Sequence, residues 1–181
     1  TGATNDLSIW GLKIEEMDIA TSDIITTVAP VTRTINLSNV PFDGNLPHID
    51  SNITIIMDVM HYRVPLSSTF SYLFRVDSLT AILARVRNSS GALTLISGEA
   101  SITPSVTLNE GQKYRIGYVV DDTTLYAYMD GVLVGSNTKG TNTGVFSTLV
   151  FGAFSDGGAS PLFGNIDNVR VYNRALTESE M

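Results

Sequence analysis

Apolar and polar residues alternate with a period of two along most of this chain, and that pattern restricts its fold more than any other feature. Successive side chains of a strand point to opposite faces, so the alternation marks strands with one buried face. Ile53, Ile55, Met57 and Val59 fall on one face of a run reaching Tyr62, opposite Thr54, Asp58 and Tyr62. Phe70–Val76 alternates with its aromatics Phe70, Tyr72 and Phe74 on one face. Leu79–Arg87 reads as a strand closed by Asn88-Ser89-Ser90-Gly91, which leads into Ala92–Ile96. Tyr114–Val120 turns at Asp121-Asp122-Thr123 into Leu125–Met129. Asp130-Gly131 then joins Val132–Val134, and both positions of such a two-residue hairpin want φ > 0. Further strands fit Thr148–Phe154 and Gly164–Tyr172. Turn signals recur about every 8–12 residues, the spacing of a sandwich or jelly roll. Helix signals are nearly absent. The capping box Thr177-Glu178-Ser179-Glu180 supports at most a turn or so.

Composition removes several classes of function. The chain has 181 residues, enough for one domain with an appended arm. It has no cysteine, which excludes disulfides, thiolate metal sites and cysteine nucleophiles. Its two histidines, His48 and His61, do not make a histidine metal site, and His61 is expected on a strand surface. The formal charge of -7, with no basic run, disfavours nucleic acid and anionic membrane as partners. No apolar stretch approaches the roughly 18 residues that span a bilayer. Charged residues make up 16%, against about 25% in ordinary domains. Ser, Thr, Asn and Gly take their place, the composition of a β-rich extracellular or viral surface protein. The chain begins at Thr1, as expected of a processed product or a piece of a longer protein. A weak boundary at Thr26–Asn36 divides an N-terminal arm, 1–33, from a body, 34–181.

Tyr114–Ser136 resembles the central hairpin of the laminin-G-like, concanavalin A-like family. The matching residues are Tyr114, Ile116, Tyr118, Val120, Asp121, Leu125, Tyr128, Asp130, Gly131, Val132 and Val134. Phe163–Thr177 is similar to that family's last strand and following turn. The resemblance covers roughly residues 34–181. It implies an all-β jelly roll of two antiparallel sheets packed face to face. Ile9–Glu15, Ala20–Thr27 and Val31-Thr32-Arg33 are similar to a segment of bacteriophage virion proteins that leads into such a domain. Asp23 and Lys13 depart from that segment's usual residues. The likeness implies a piece of a phage tail, fibre or head appendage, facing outward on the virion, with other virion subunits as partners and a trimer as one expected assembly.

Candidate chemistry then divides into binding and catalysis. The fold hosts β-glucanases that carry Glu-x-Asp-x-x-Glu on one strand, placing a nucleophile and an acid side by side. Here Glu16-Met17-Asp18 lacks the second glutamate and lies outside the matched body, so no enzyme is expected. Tyr126 and Tyr128 alternate with Leu125, Ala127 and Met129, which places both rings on the outer, concave face of a sheet. With Arg115 across the hairpin they supply the aromatic and polar contacts that sugars use. The commoner fate of such rings is simply to cover the sheet or a loop. Asp58, Tyr62, Arg75, Arg85 and Arg87 are further strand-borne polar groups for the same face, and solvated surface is again the commoner role. Arg85-Val86-Arg87 places two like charges together, which invites a counter-charge or an anionic ligand. The family resemblance brings calcium into view at Asp121, Asp122, Asp156 and Asp167, although no spacing singles them out and no cofactor is expected. Trp10, the one tryptophan, is expected to anchor a core or interface. The function these features suggest is non-catalytic recognition of a host-surface glycan. A structural or decoration module of the virion is the alternative.

Overall fold

The computed structural model describes residues 38–41, 52–62, 69–76, 82–141, 148–154 and 160–181. All of these fall in the compact unit Ile35–Met181. The expected arm 1–33, with Trp10, Glu16 and Asp18, lies outside the described residues, as do His48 and Asp156.

The described residues form eleven strands and one short 3-10 turn. The strands are β1 (Ser38–Pro41), β2 (Ile53–His61), β3 (Phe70–Val76), β4 (Ile82–Arg87), β5 (Leu93–Ser97), β6 (Ala100–Ile102), β7 (Lys113–Val120), β8 (Thr124–Met129), β9 (Val132–Thr138), β10 (Thr148–Phe151) and β11 (Gly164–Tyr172). They pair antiparallel into a six-stranded sheet, β1-β10-β3-β4-β5-β6, and a five-stranded sheet, β11-β2-β7-β8-β9. The architecture is an all-β jelly-roll sandwich.

The period-two residues build its core. Ile53, Ile55, Met57 and Val59 are each 0% exposed and face Leu73, Phe74, Val86, Leu93 and Leu95 of the other sheet within one cluster. Each such side chain contributes about 1.5–3 kcal/mol by leaving water. Tyr118 is fully buried, packs edge-on against Phe74 with centroids 5.3 Å apart, and donates its hydroxyl to Ile96 O at 3.0 Å. Burial pushes its phenol well above the usual range. The Asp130-Gly131 hairpin forms as expected, with φ of 52° and 81°.

Several expectations are corrected. The aromatics of β3 do not share a face. A bulge between Tyr72 and Phe74 shifts the β3–β4 register, so Phe70 and Tyr72 pair with Arg87 and Arg85 outside while Leu73 and Phe74 both enter the core. His61 is not on the surface but fully buried, because it continues the inward row Ile53–Val59. The strand expected to reach Phe154 stops at Phe151. From there Gly152 donates to Leu73 O and Leu162 to Gly152 O, which ends the ladder. The run Val132–Val134 extends to Thr138, and the short strands β1 and β6 carried no alternation long enough to read.

Candidate functional site

Directly paired residues of a sheet stand on the same face, so the register defines the outer face of the five-stranded sheet. One row runs Tyr172, Thr54, Val119, Tyr126 and Ser136. The next runs Arg170, Ile56, Gly117, Tyr128 and Leu133. Asp167, Asp58 and Arg115 form the third, and Asn165, Met60 and Lys113 the fourth. Asp58, Arg115, Tyr126 and Tyr128 therefore lie on one face, as the sequence suggested. Tyr62 follows β2 at its end, half-buried, with its hydroxyl 3.6 Å from Met60 Sδ. Arg75, Arg85 and Arg87 belong elsewhere. They stand on β3 and β4 in the six-stranded sheet and cannot share a face with Asp58.

The C-terminal segment divides this face in two. After β11 the chain crosses back over the sheet. Thr54 Oγ1 donates to Arg174 O at 2.8 Å and accepts from Leu176 N at 3.0 Å. Leu176 is buried, and a methyl group added at Gly117 would meet Met181 Cε at 1.9 Å. Glycine is what lets the methionine reach the sheet. Ile56, Val119 and Tyr128 are buried on this half, although they face away from the core. Burial, with the nearby Glu178 charge, pushes the Tyr128 phenol up. Tyr128 is thus covered by its own chain and is not open for stacking. Tyr126 sits at the margin, half-buried, donating to Asp121 Oδ2 at 3.1 Å.

The other half is polar and centres on Asp58. A bulge in β11 between Asp167 and Arg170 sets Asn168 at φ 51°. Its Nδ2 donates to Asp58 Oδ2 at 2.7 Å. Arg115 Nε donates to Oδ1 at 3.1 Å, and Lys113 Nζ lies 3.8 Å from Oδ2 and 3.0 Å from Asp167 Oδ2. The Asn168 hydrogen bond, followed by Arg115 and Lys113, holds the Asp58 carboxyl below its usual range against the opposing effect of burial. Asp167 in turn raises Lys113. Arg115 is also tied to the hairpin: its N donates to Asp130 Oδ1 and its O accepts from Asp130 N, each at 2.8 Å. Arg115 thus turns toward Asp58 on β2 and not toward the tyrosine pair. Lys113 and Asn168 were not singled out from sequence. Their only signal is register, since they lie more than 50 residues apart in the chain.

Asp58 and Asp167 are directly opposite, so a hydrolytic pair has to be considered. Glycoside hydrolysis needs one carboxyl that keeps its proton for the leaving oxygen. The Asp58 carboxyl is held below its usual range by Asn168, Arg115 and Lys113, the opposite of what that acid requires. Calcium fares no better. Asp121 Oδ1 accepts from Thr123 N and Thr124 N at 2.8 and 2.6 Å, and Asp122 accepts from Asn52 at 2.8 Å. Among the described residues no group of three carboxylate or imidazole side chains could hold a metal ion.

The sequence of residues 45–181 matches the family model described as Concanavalin A-like lectin/glucanases superfamily, Laminin_G_3. The chain belongs to that family. No curated protein matches it. Among solved structures it is similar to a heptameric SAP-like pentraxin from Limulus polyphemus, at 18% identity and TM-score 0.56, over 72% of this chain and 67% of that one. It is similar to the CBM40 of a Ruminococcus gnavus IT-sialidase, bound there to α2,3-sialyllactose, at 13% identity and TM-score 0.57, over 73% and 81%. A mutant of Trypanosoma rangeli sialidase with trans-sialidase activity matches at 21% identity and TM-score 0.58, over 72% of this chain but 22% of that one. At these identities the likeness is one of fold.

Proposed function

We propose that this chain is a non-catalytic carbohydrate-binding module, and that it serves as an adhesion domain of a bacteriophage virion protein recognising host-surface glycans. The family match over residues 45–181 carries the reading. The CBM40 likeness, over most of both chains, supports it, whereas the sialidase match is confined to a small part of that enzyme. The virion setting rests on the resemblance of residues 9–33 to phage segments. Sugar contacts fall on the uncovered half of the five-stranded sheet. There Arg115, Lys113 and Asp167 present donors and acceptors for hydroxyl groups, braced by the buried Asp58, with Tyr62 and Tyr126 at the margins. Each contact is weak, and many copies on one particle multiply them. Calorimetric titration with purified host-surface polysaccharide tests the reading. Binding that weakens several-fold in Arg115→Ala supports it, and the absence of binding at millimolar sugar sinks it.

One observation favours a second reading, a structural module that contacts neighbouring subunits. Val132 and Leu133 on the edge strand β9 are 61% and 41% exposed, an unusual display for a strand that could pair with another chain. A concentration-independent trimer by light scattering, lost in Leu133→Lys, would favour that reading.

A further inference from the structure

The outer face of the six-stranded sheet carries a second constellation. Phe70 and Arg87 are directly paired across β3 and β4, as are Tyr72 and Arg85, and all four stand on the same side. The Arg85 guanidinium lies 3.9 Å from the Phe70 ring centroid and that of Arg87 4.9 Å from the same ring. Arg85 Nη1 reaches toward the Tyr72 hydroxyl at 3.5 Å. Tyr72 meets Phe154 edge-on at 5.0 Å, and Phe154 in turn carries Arg75 at 4.1 Å. Cations and rings thus alternate along β3 from Phe70 to Arg75, on the order of 17 Å of strand. Next to Arg85, on β5, Thr94 exchanges a hydroxyl hydrogen bond with Thr103 at 3.2 Å.

The charges are unbalanced. Among the described residues neither Arg85 nor Arg87 forms an ion pair, and the buried Arg85 Nε has no hydrogen-bond acceptor. Two guanidiniums on one ring repel each other. On the opposite sheet the same chain neutralises Lys113 and Arg115 with Asp58 and Asp167. The chain carries a net charge of -7, yet among the described residues no carboxylate pairs with either guanidinium. Cation–π contact holds the guanidiniums in place without using up their N–H groups. Planar guanidinium forks suit a carboxylate, which they can grip through two parallel hydrogen bonds. Nearby Phe154, 37% exposed, offers apolar surface to a sugar's C–H face.

We propose that Arg85 and Arg87, braced on Phe70 and Tyr72, form a subsite for the carboxylate of an acidic saccharide. The inference rests on the glycan-binding reading and locates an anionic ligand on the sheet opposite Asp58. The test is NMR titration of the whole chain, following the arginine Nε–Hε signals, with oligogalacturonate, oligoalginate and oligosialic acid, and with neutral oligosaccharides as controls. At least one acidic oligosaccharide is expected to shift the Arg85 and Arg87 signals and to bind less tightly as salt rises. Arg87→Ala is expected to weaken that binding at least tenfold. Arg87→Lys keeps the charge but loses the fork, and is expected to weaken it severalfold. Arg87 is exposed, so both variants should keep the wild-type spectrum elsewhere. Unchanged affinity in Arg87→Ala, or no shift at either arginine with any acidic member, overturns the subsite. Neutral sugars that bind at β2 and β7 while acidic ones leave Arg85 and Arg87 untouched would sink this inference alone. If no sugar of either kind binds, both readings fall.

Discussion

The C-terminal segment is a cover whose seat depends on one missing side chain, and this can be tested at Gly117. An alanine there places its Cβ 1.9 Å from Met181 Cε and 3.1 Å from Tyr128 Cβ. The first is the free end of a flexible side chain, so the methionine swings away while the strand stays in place. A fully buried Met truncated to Ala costs about 2–5 kcal/mol. Met181 is only half-buried, so its contribution is about 1 kcal/mol, by the same scale. Gly117→Ala loses that contact but regains part of the loss, because glycine inside a strand is itself unfavourable by roughly 0.5–1 kcal/mol. The expected net change is therefore within about 1 kcal/mol, or roughly 2–4 °C in Tm for a domain of this size. Met181→Ala is expected to cost about 1 kcal/mol alone. Combining the two should cost no more than the methionine change, a coupling of about 1 kcal/mol between neighbours. Denaturant melts of the four proteins give the cycle. In parallel, tyrosine-labelled NMR should show the Tyr128 titration midpoint falling in Gly117→Ala, as burial is relieved. Strict additivity, an unmoved Tyr128, or a loss above about 3 kcal/mol for Gly117→Ala would mean that something rigid covers this strand, and the reasoning would fail.

Asp58→Asn removes the anion that unites Asn168, Arg115 and Lys113, and is expected to cost about 2 kcal/mol at neutral pH, typical of hydrogen bonds to a charged group. Because the folded carboxyl lies below its ordinary 3.8, this difference is fully present above that pH and fades as pH falls through the lower folded value; chemical denaturation at pH 7 and pH 3 measures it. Glu180 grips Arg174 at 2.6 and 2.9 Å and accepts from Thr177 N, which lowers its carboxyl to about 2. Its contribution should therefore persist down to the usual 4.5 and be lost only as pH drops toward 2, and Arg174→Ala should raise the carboxyl midpoint seen by NMR. Gly131→Ala meets no atom within 4 Å but must adopt φ 81°, so about 1–2 kcal/mol of pure backbone strain is expected in a melt.

The sandwich was legible because its strongest signals are local. The inward row Ile53–Val59, the positive-φ pair Asp130-Gly131 and the capping box at Thr177 each declare themselves within ten residues, and each stands where the sequence placed it. What the sequence hid depends on long-range register. Nothing in Phe70–Val76 announces the bulge that sends Phe70 and Tyr72 outward and Phe74 inward. Tyr128 alternates correctly, yet it is buried on a face where Met181, 53 positions later, reaches the neighbouring Gly117. Asp58 and Arg115 share a face as the alternation implied, but the pairing that makes them one network comes from strand order, which alternation does not specify. The same limit placed Arg85 and Arg87 beside Asp58 when they occupy the other sheet.

The proposed module holds sugar and leaves it intact. Its most direct test is a single incubation of the whole chain with an array of bacterial surface polysaccharides, scored both for retention of the protein and for new reducing ends. Retention on a defined subset with no reducing ends released is the predicted result. An array without retention, or retained sugars that are steadily cleaved, would contradict it.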